Sequence, residues 1–207
     1  MALRKTSPTP LHPVQPRQHP RDLPGLQQQL GDPDPRLRRL AARDLAHYPA
    51  AALALGHALS VEADASVREA LFTSLGAVAG DGAVQALLPL LRTEDPGLRN
   101  GAIEALAAMP LAVAPSIDRL LLDPDDDVRI FAVNLLGELR HPQVPRWLVQ
   151  VLQQDPHVNV VAAALEVLAE VGSPQELPAL QAVRERFGSD AFIDFAAELA
   201  ISRIEAS

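Results

Sequence analysis

The sequence predicts an all-α fold, an α-solenoid of about six stacked αα-hairpins, on three observations. A short motif headed by Asp recurs five times at nearly constant spacing. Each copy carries apolar residues at intervals of three and four, the period of one helix face. The composition is 48% hydrophobic but only 3% aromatic and rich in Ala and Leu, which suits closely packed helices better than sheets.

The copies read DPRLRRLAARDL from Asp34, DASVREALFTSL from Asp64, DPGLRNGAIEAL from Asp95, DDDVRIFAVNLL from Asp125 and DPHVNVVAAALEVL from Asp155. Aligned on the apolar residue three positions after each Asp, the anchors are Leu37, Val67, Leu98, Val128 and Val158, spaced by 30, 31, 30 and 30 residues. A period of that length holds two helices and two turns, and stacked hairpins bury stripes that one hairpin alone leaves exposed.

Taken in order, residues 1–21 hold five prolines and four basic residues without an acidic one, so a disordered, basic, extended tail is expected there. Residues 22–207 form the solenoid. Leu23 to Leu30 is a short, Pro-bounded first helix. Each Asp then caps a helix and favours its positive end, while Pro35, Pro96 and Pro156 sit where a missing N–H costs nothing. Between copies lie second helices in LALGHALS, VQALLPLLR, PSIDRLLL, PRWLVQVLQ and ELPALQAVRERF. AFIDFAAELAISRI closes the array as a divergent terminal cap. In the fifth copy Asn159 stands in place of Arg, and Glu166 replaces the apolar residue found at 45, 75, 106 and 136, so units five and six are expected to pack differently.

The pattern Asp64, Val67, Arg68, Leu75, Gly76, seen again as Asp125, Val128, Arg129, Ala132, Leu136, Gly137, resembles HEAT repeats of the short, roughly 30-residue bacterial type. This type is also called the PBS-lyase HEAT-like repeat, after phycobilin lyase subunits that contain it. The resemblance implies that Arg38, Arg68, Arg99 and Arg129 pair with loop acids of their own or the adjoining unit, a structural role for a planar five-donor guanidinium. Asp34, Asp64, Asp95, Asp125 and Asp155 are structural in the same sense. It also implies that the Asp-headed helices line an inner surface, with residues two, six and ten after each anchor facing out. The expected partner-binding row is then Arg39, Arg43 and His47; Glu69 and Thr73; Asn100 and Glu104; Ile130, Asn134 and Glu138; and Val160, running from basic through polar to apolar.

Several chemistries are excluded at the level of composition. With no cysteine there is no disulfide, thiol nucleophile or cysteine-ligated metal. The histidines at 12, 19, 47, 57, 141 and 157 are scattered and show no metal-ligand spacing. Asp123, Asp125, Asp126 and Asp127 form an acidic loop that lacks the glycine and terminal glutamate of a calcium hand. Neither a metal nor a cofactor is expected. No apolar run serves as a secretion signal or a membrane span, so a cytoplasmic protein without a membrane partner is expected.

A full repeat pattern without a residual catalytic cluster points to a noncatalytic protein–protein interaction scaffold, adaptor or assembly factor that holds a partner protein. The family resemblance implies a second reading, a bilin lyase or bilin-binding chaperone component. DNA binding, as in some HEAT-like glycosylases, is a third reading. It is disfavoured because the net charge of −8 leaves −12 on the folded part once the tail is set aside, so no nucleic-acid partner is expected.

Overall fold

The computed structural model describes residues 19–188 and 190–206. Positions 1–18, and with them most of the expected tail, lie outside the described residues. Twelve α-helices are found among the described residues: α1 (Leu23–Gln29), α2 (Pro35–Leu45), α3 (Ala52–Val61), α4 (Ala65–Val78), α5 (Gly80–Leu87), α6 (Pro96–Ala107), α7 (Pro110–Leu121), α8 (Asp126–Glu138), α9 (Val144–Gln154), α10 (Val158–Val171), α11 (Leu177–Arg186) and α12 (Ala191–Ala206). Among these residues there is no β-strand. Pro89, which lacks an N–H and crowds the preceding turn, converts the end of α5 into a 3₁₀ segment over Leu88–Arg92.

The even-numbered helices stack in sequence as one layer, and α3, α5, α7, α9 and α11 stack as the second. Each odd helix packs on the even helix that follows it, so the described residues form a two-layer solenoid of six αα-hairpins, as predicted. One apolar core runs through it, from Leu26 through Leu71, Leu106 and Leu136 to Leu168 and Ile204. Trp147 is buried in that core and stacks on His141 at 5.1 Å.

Each even helix of the first four units starts the same way. The capping Asp accepts a backbone N–H two residues on: Asp34 from Arg36 at 2.8 Å, Asp64 from Ser66 at 2.9 Å, Asp95 from Gly97 at 2.8 Å and Asp125 from Asp127 at 3.0 Å. Its own N–H donates to the side chain two residues before it, in turn Asp32, Glu62, Thr93 and Asp123.

The fifth unit corrects the register expected from the sequence. There the N–H donated backwards is that of His157, which reaches Asp155 Oδ1 at 2.8 Å, and α10 begins only at Val158. Asp155 therefore occupies the place of Asp123, and the cap position falls to His157, whose side chain makes no cap hydrogen bond. The anchor is Val160, not Val158. Burial is the physical reason: with Val158 as anchor, Glu166 would turn into the core, whereas the structure exposes Glu166 and buries Leu168. Val160, expected on the partner-binding row, is 0% exposed and belongs to the core. The sixth unit restores an Asp cap, with Asp190 Oδ1 accepting from Phe192 N at 2.9 Å and Ile193 N at 3.1 Å.

Candidate functional site

The loops of the solenoid are clamped by the four arginines that follow the first four anchors. Each guanidinium donates to the backbone carbonyl six residues earlier: Arg38 to Asp32, Arg68 to Glu62, Arg99 to Thr93 and Arg129 to Asp123, at 2.6–2.9 Å. Three of them also reach a carboxylate of the next unit. Arg38 grips Glu62 through two bonds of 2.7 Å, Arg68 meets Asp95 at 2.9 Å, and Arg129 grips Asp155 at 2.7 and 3.2 Å. Arg99 is the exception, because Asp123 of the next loop pairs with Arg92. Its guanidinium lies instead 4.3 Å from the centre of the Phe131 ring.

Clamp and cap hydrogen bonds lower three of the loop acids, Glu62, Asp64 and Asp95. The hydrogen bond from Arg38 holds the Glu62 carboxyl below the usual glutamate range even though burial pushes it up. Asp64 is lowered first by the Ser66 hydroxyl and the Val67 N–H, and Asp95 first by the Leu98 N–H. In the acidic loop, Asp123 and Asp125 face Arg92, Asp125 also caps α8 through the Asp127 N–H, and Asp126 meets His157 at 3.0 Å. Among the described residues no group of three His, Asp or Glu is placed to hold a metal ion.

With the loops tied down, the face of the even layer turned away from the odd layer is the surface free to bind. Arg43, His47, Glu69, Thr73, Asn100, Glu104, Asn134 and Glu138 are exposed, while Arg39 and Ile130 are half-buried. In the corrected register this row continues through Ala162, Glu166 and Glu170 on α10, and through Phe195, Leu199 and Arg203 on α12. The basic end at α2 is thus followed by carboxylates and finally by apolar side chains.

Two grooves open on this face. The first, about 720 Å³ between α4 and α6, is lined by Glu69, Thr73 and Glu104 over Gly76 and Gly101. The Phe72 ring lies over Gly101, where a Cβ would meet it at 2.5 Å. The second, about 530 Å³ between α10 and α12, has a floor of alanines at 162, 163, 169 and 196. Its rims carry Glu166 and Glu170 on one side and Phe192, Phe195 and Leu199 on the other. Those three apolar residues are 60%, 64% and 44% exposed.

The sequence reading brought Glu69, Thr73 and Glu104 to one groove and Ile130 to the edge of the other. It missed every α10 and α12 residue of the second groove. A usable signal was present: Asp190-Ala-Phe-Ile repeats the Asp64-Ala-Ser-Val pattern that starts α4.

Comparison with known proteins adds relatives of named context. The chain is 28% identical over 188 residues to the uncharacterized phycocyanin operon protein Z of Pseudanabaena tenuis, covering 86% of this chain and 93% of that protein. It is 33% identical over 153 residues to the bilin biosynthesis protein PecE of Mastigocladus laminosus, covering 72% of this chain but only 56% of that protein. Among solved structures it is similar to a designed armadillo repeat protein in complex with the peptide (KR)4, at 18% identity, 88% and 99% coverage and a TM-score of 0.44. It is also similar to the complex of CpcE and CpcF of phycocyanin lyase from Nostoc, at 20% identity, 95% and 100% coverage and a TM-score of 0.36.

The two sequence relatives overturn the expected adaptor role. Their names place them in a phycocyanin operon and in bilin biosynthesis, and neither describes a general adaptor. The family described as HEAT repeats matches residues 23–107 and 113–201, from the start of α1 into α12. This chain belongs to the HEAT-repeat family.

Proposed function

We propose that this chain is a bilin-handling HEAT-repeat protein, a bilin lyase component or bilin-binding chaperone, that holds a linear tetrapyrrole on the exposed face of its even helices for delivery to a phycobiliprotein. The similarity to phycocyanin operon protein Z carries this reading, because it extends over 86% of this chain and 93% of that protein rather than over one repeat. Shape supports it. Grooves of about 530 and 720 Å³ fall within the 300–1,000 Å³ range of small-molecule sites, and both have floors of Gly or Ala against which a flat conjugated molecule can lie. The protein partner under this reading is the phycobiliprotein that accepts the pigment.

The test is a visible absorption titration. Purified chain is added to biliverdin, a free linear tetrapyrrole, with and without an apo-phycobiliprotein. A saturable shift of the bilin band near one pigment per chain is the expected result. A band unmoved under both conditions removes the proposal.

A further inference from the structure

We infer that the tetrapyrrole sits in the α10–α12 groove, with its pyrrole N–H groups held by Glu166 and Glu170 and its conjugated face against Phe192 and Phe195. This rests on the bilin-handling reading above and assigns it a place and an electronic consequence.

The groove is not the unfinished end of the stack. In α4, α6 and α8 the positions one and five after the anchor turn toward the next repeat. On α12, whose anchor is Ile193, those positions are Asp194 and Glu198. Asp194 is tied back to Arg184 at 2.6 Å, so α12 closes the array with charge rather than offering an apolar docking edge. Phe195 and Leu199 fall instead at two and six after the anchor, the positions that face the groove. Elsewhere on this row the second position holds Arg39, Glu69, Asn100, Ile130 or Ala162, and a large aromatic ring occurs there only on α12.

The chemistry of the lining suits an occupant that combines N–H donors with a flat apolar face. Glu166 and Glu170 are one helical turn apart on the same side of α10, and both line the groove. Two neighbouring carboxylates over an alanine floor disfavour an acidic peptide or a purely apolar segment. A linear tetrapyrrole brings several N–H donors along one edge and a flat π-system behind them, which answers both the carboxylates and the rings. A carboxylate beside the ring nitrogens favours the protonated, cationic form of the chromophore, so bound pigment absorbs to the red of free pigment.

The experiment measures biliverdin affinity, band position and association with an apo-phycobiliprotein for wild type, Glu166→Gln/Glu170→Gln, Phe195→Ala and, for the other groove, Glu104→Gln. All four sites are exposed, and matching thermal melts establish that the variants fold. The double Gln variant is expected to bind about tenfold more weakly and to lose the red shift. Phe195→Ala should weaken binding while keeping the shift, and Glu104→Gln should change neither. Loss of binding in Glu104→Gln with the α10–α12 variants intact overturns the placement but leaves the bilin-handling reading standing. Intact bilin binding with loss of phycobiliprotein association in Phe195→Ala also overturns it, making the groove a protein-docking surface. Absence of any bilin response in the wild type overturns both.

Discussion

The first four units and the last two build the same two-layer stack by different means. Units one to four repeat a device: an Asp cap, an apolar anchor and an Arg that ties down its own loop and, in three of the four, also reaches a carboxylate of the next. In unit five the cap position is His157, and Val161 takes the place of the Arg and is fully buried. Unit six has Asp190 as cap and Asp194 in the Arg position. Where the ladder stops, the stack is held by apolar packing of α10 against α8, α9 and α12 and by Arg186 of α11, which donates to the carbonyls of Leu152 and Asp155 at 2.8 and 2.7 Å. The difference teaches that the charged ladder regularises this solenoid but is not required to continue it. The departure from the repeat coincides with the apolar groove, which is where a ligand-specific surface is freest to differ from its scaffold.

The largest test of that division is at Asp155, the last carboxylate of the ladder and the point where the two regions join. Its side chain is 4% exposed and receives two bonds from Arg129. It also receives the N–H of His157. Removing it leaves a nearly buried guanidinium without its counter-ion, at a cost of about 3–5 kcal/mol. Asp95 makes the corresponding contact to Arg68, but its side chain is 37% exposed, so Asp95→Ala should cost about 1–2 kcal/mol, mostly as a lost cap. Urea unfolding of both variants checks the ranking. Equal losses would show that burial does not grade the ladder.

A second test uses pH. Because Arg38 holds Glu62 below the ordinary glutamate range, the folded chain takes up that proton less readily than the unfolded chain. The stabilisation is complete above the ordinary glutamate range and is lost as pH falls through the lowered folded value. Glu62→Gln should therefore melt below wild type at neutral pH, by an amount corresponding to about 1–3 kcal/mol, and the two melts should converge in acid. A gap that persists at low pH would mean that shape, not charge, accounts for the contact.

Most of the architecture was readable from the sequence because the Asp, the anchor and the apolar face of each helix obey one spacing. The slip came at Asp155-Pro156, which imitates the Asp-Pro starts at Asp34 and Asp95 although its Asp acts two residues upstream of the cap. The burial of Leu168 in place of Glu166 and the start of α10 at Val158 separate the two registers. The outward row of units one to four followed from the anchors, whereas Phe195 and Leu199 were absorbed into a terminal cap because the spacing had stretched before Asp190. The function was not readable from the repeat itself. The clamp and the core specify a stack, and a ligand depends on a few outward side chains that the stack leaves unconstrained.

The smallest effect compares two glycines of the same Leu-Gly signature. A Cβ on Gly76 in α4 would meet nothing within 4 Å, so Gly76→Ala should gain helix propensity without cost and raise stability by about 0.5–1 kcal/mol. On Gly137 in α8 the same atom would lie 3.3 Å from Val167 Cγ2, so α10 must yield slightly and most of the gain is offset. Thermal melts of the two variants should rise for the first and stay near wild type for the second. The pair also bears on the ligand, because Gly76 lines the α4–α6 groove and its replacement narrows that groove alone. If the tetrapyrrole lies between α10 and α12, Gly76→Ala gives a more stable protein with unchanged bilin affinity. A stabilised variant that binds bilin several-fold more weakly would move the pigment to the clamped half of the molecule.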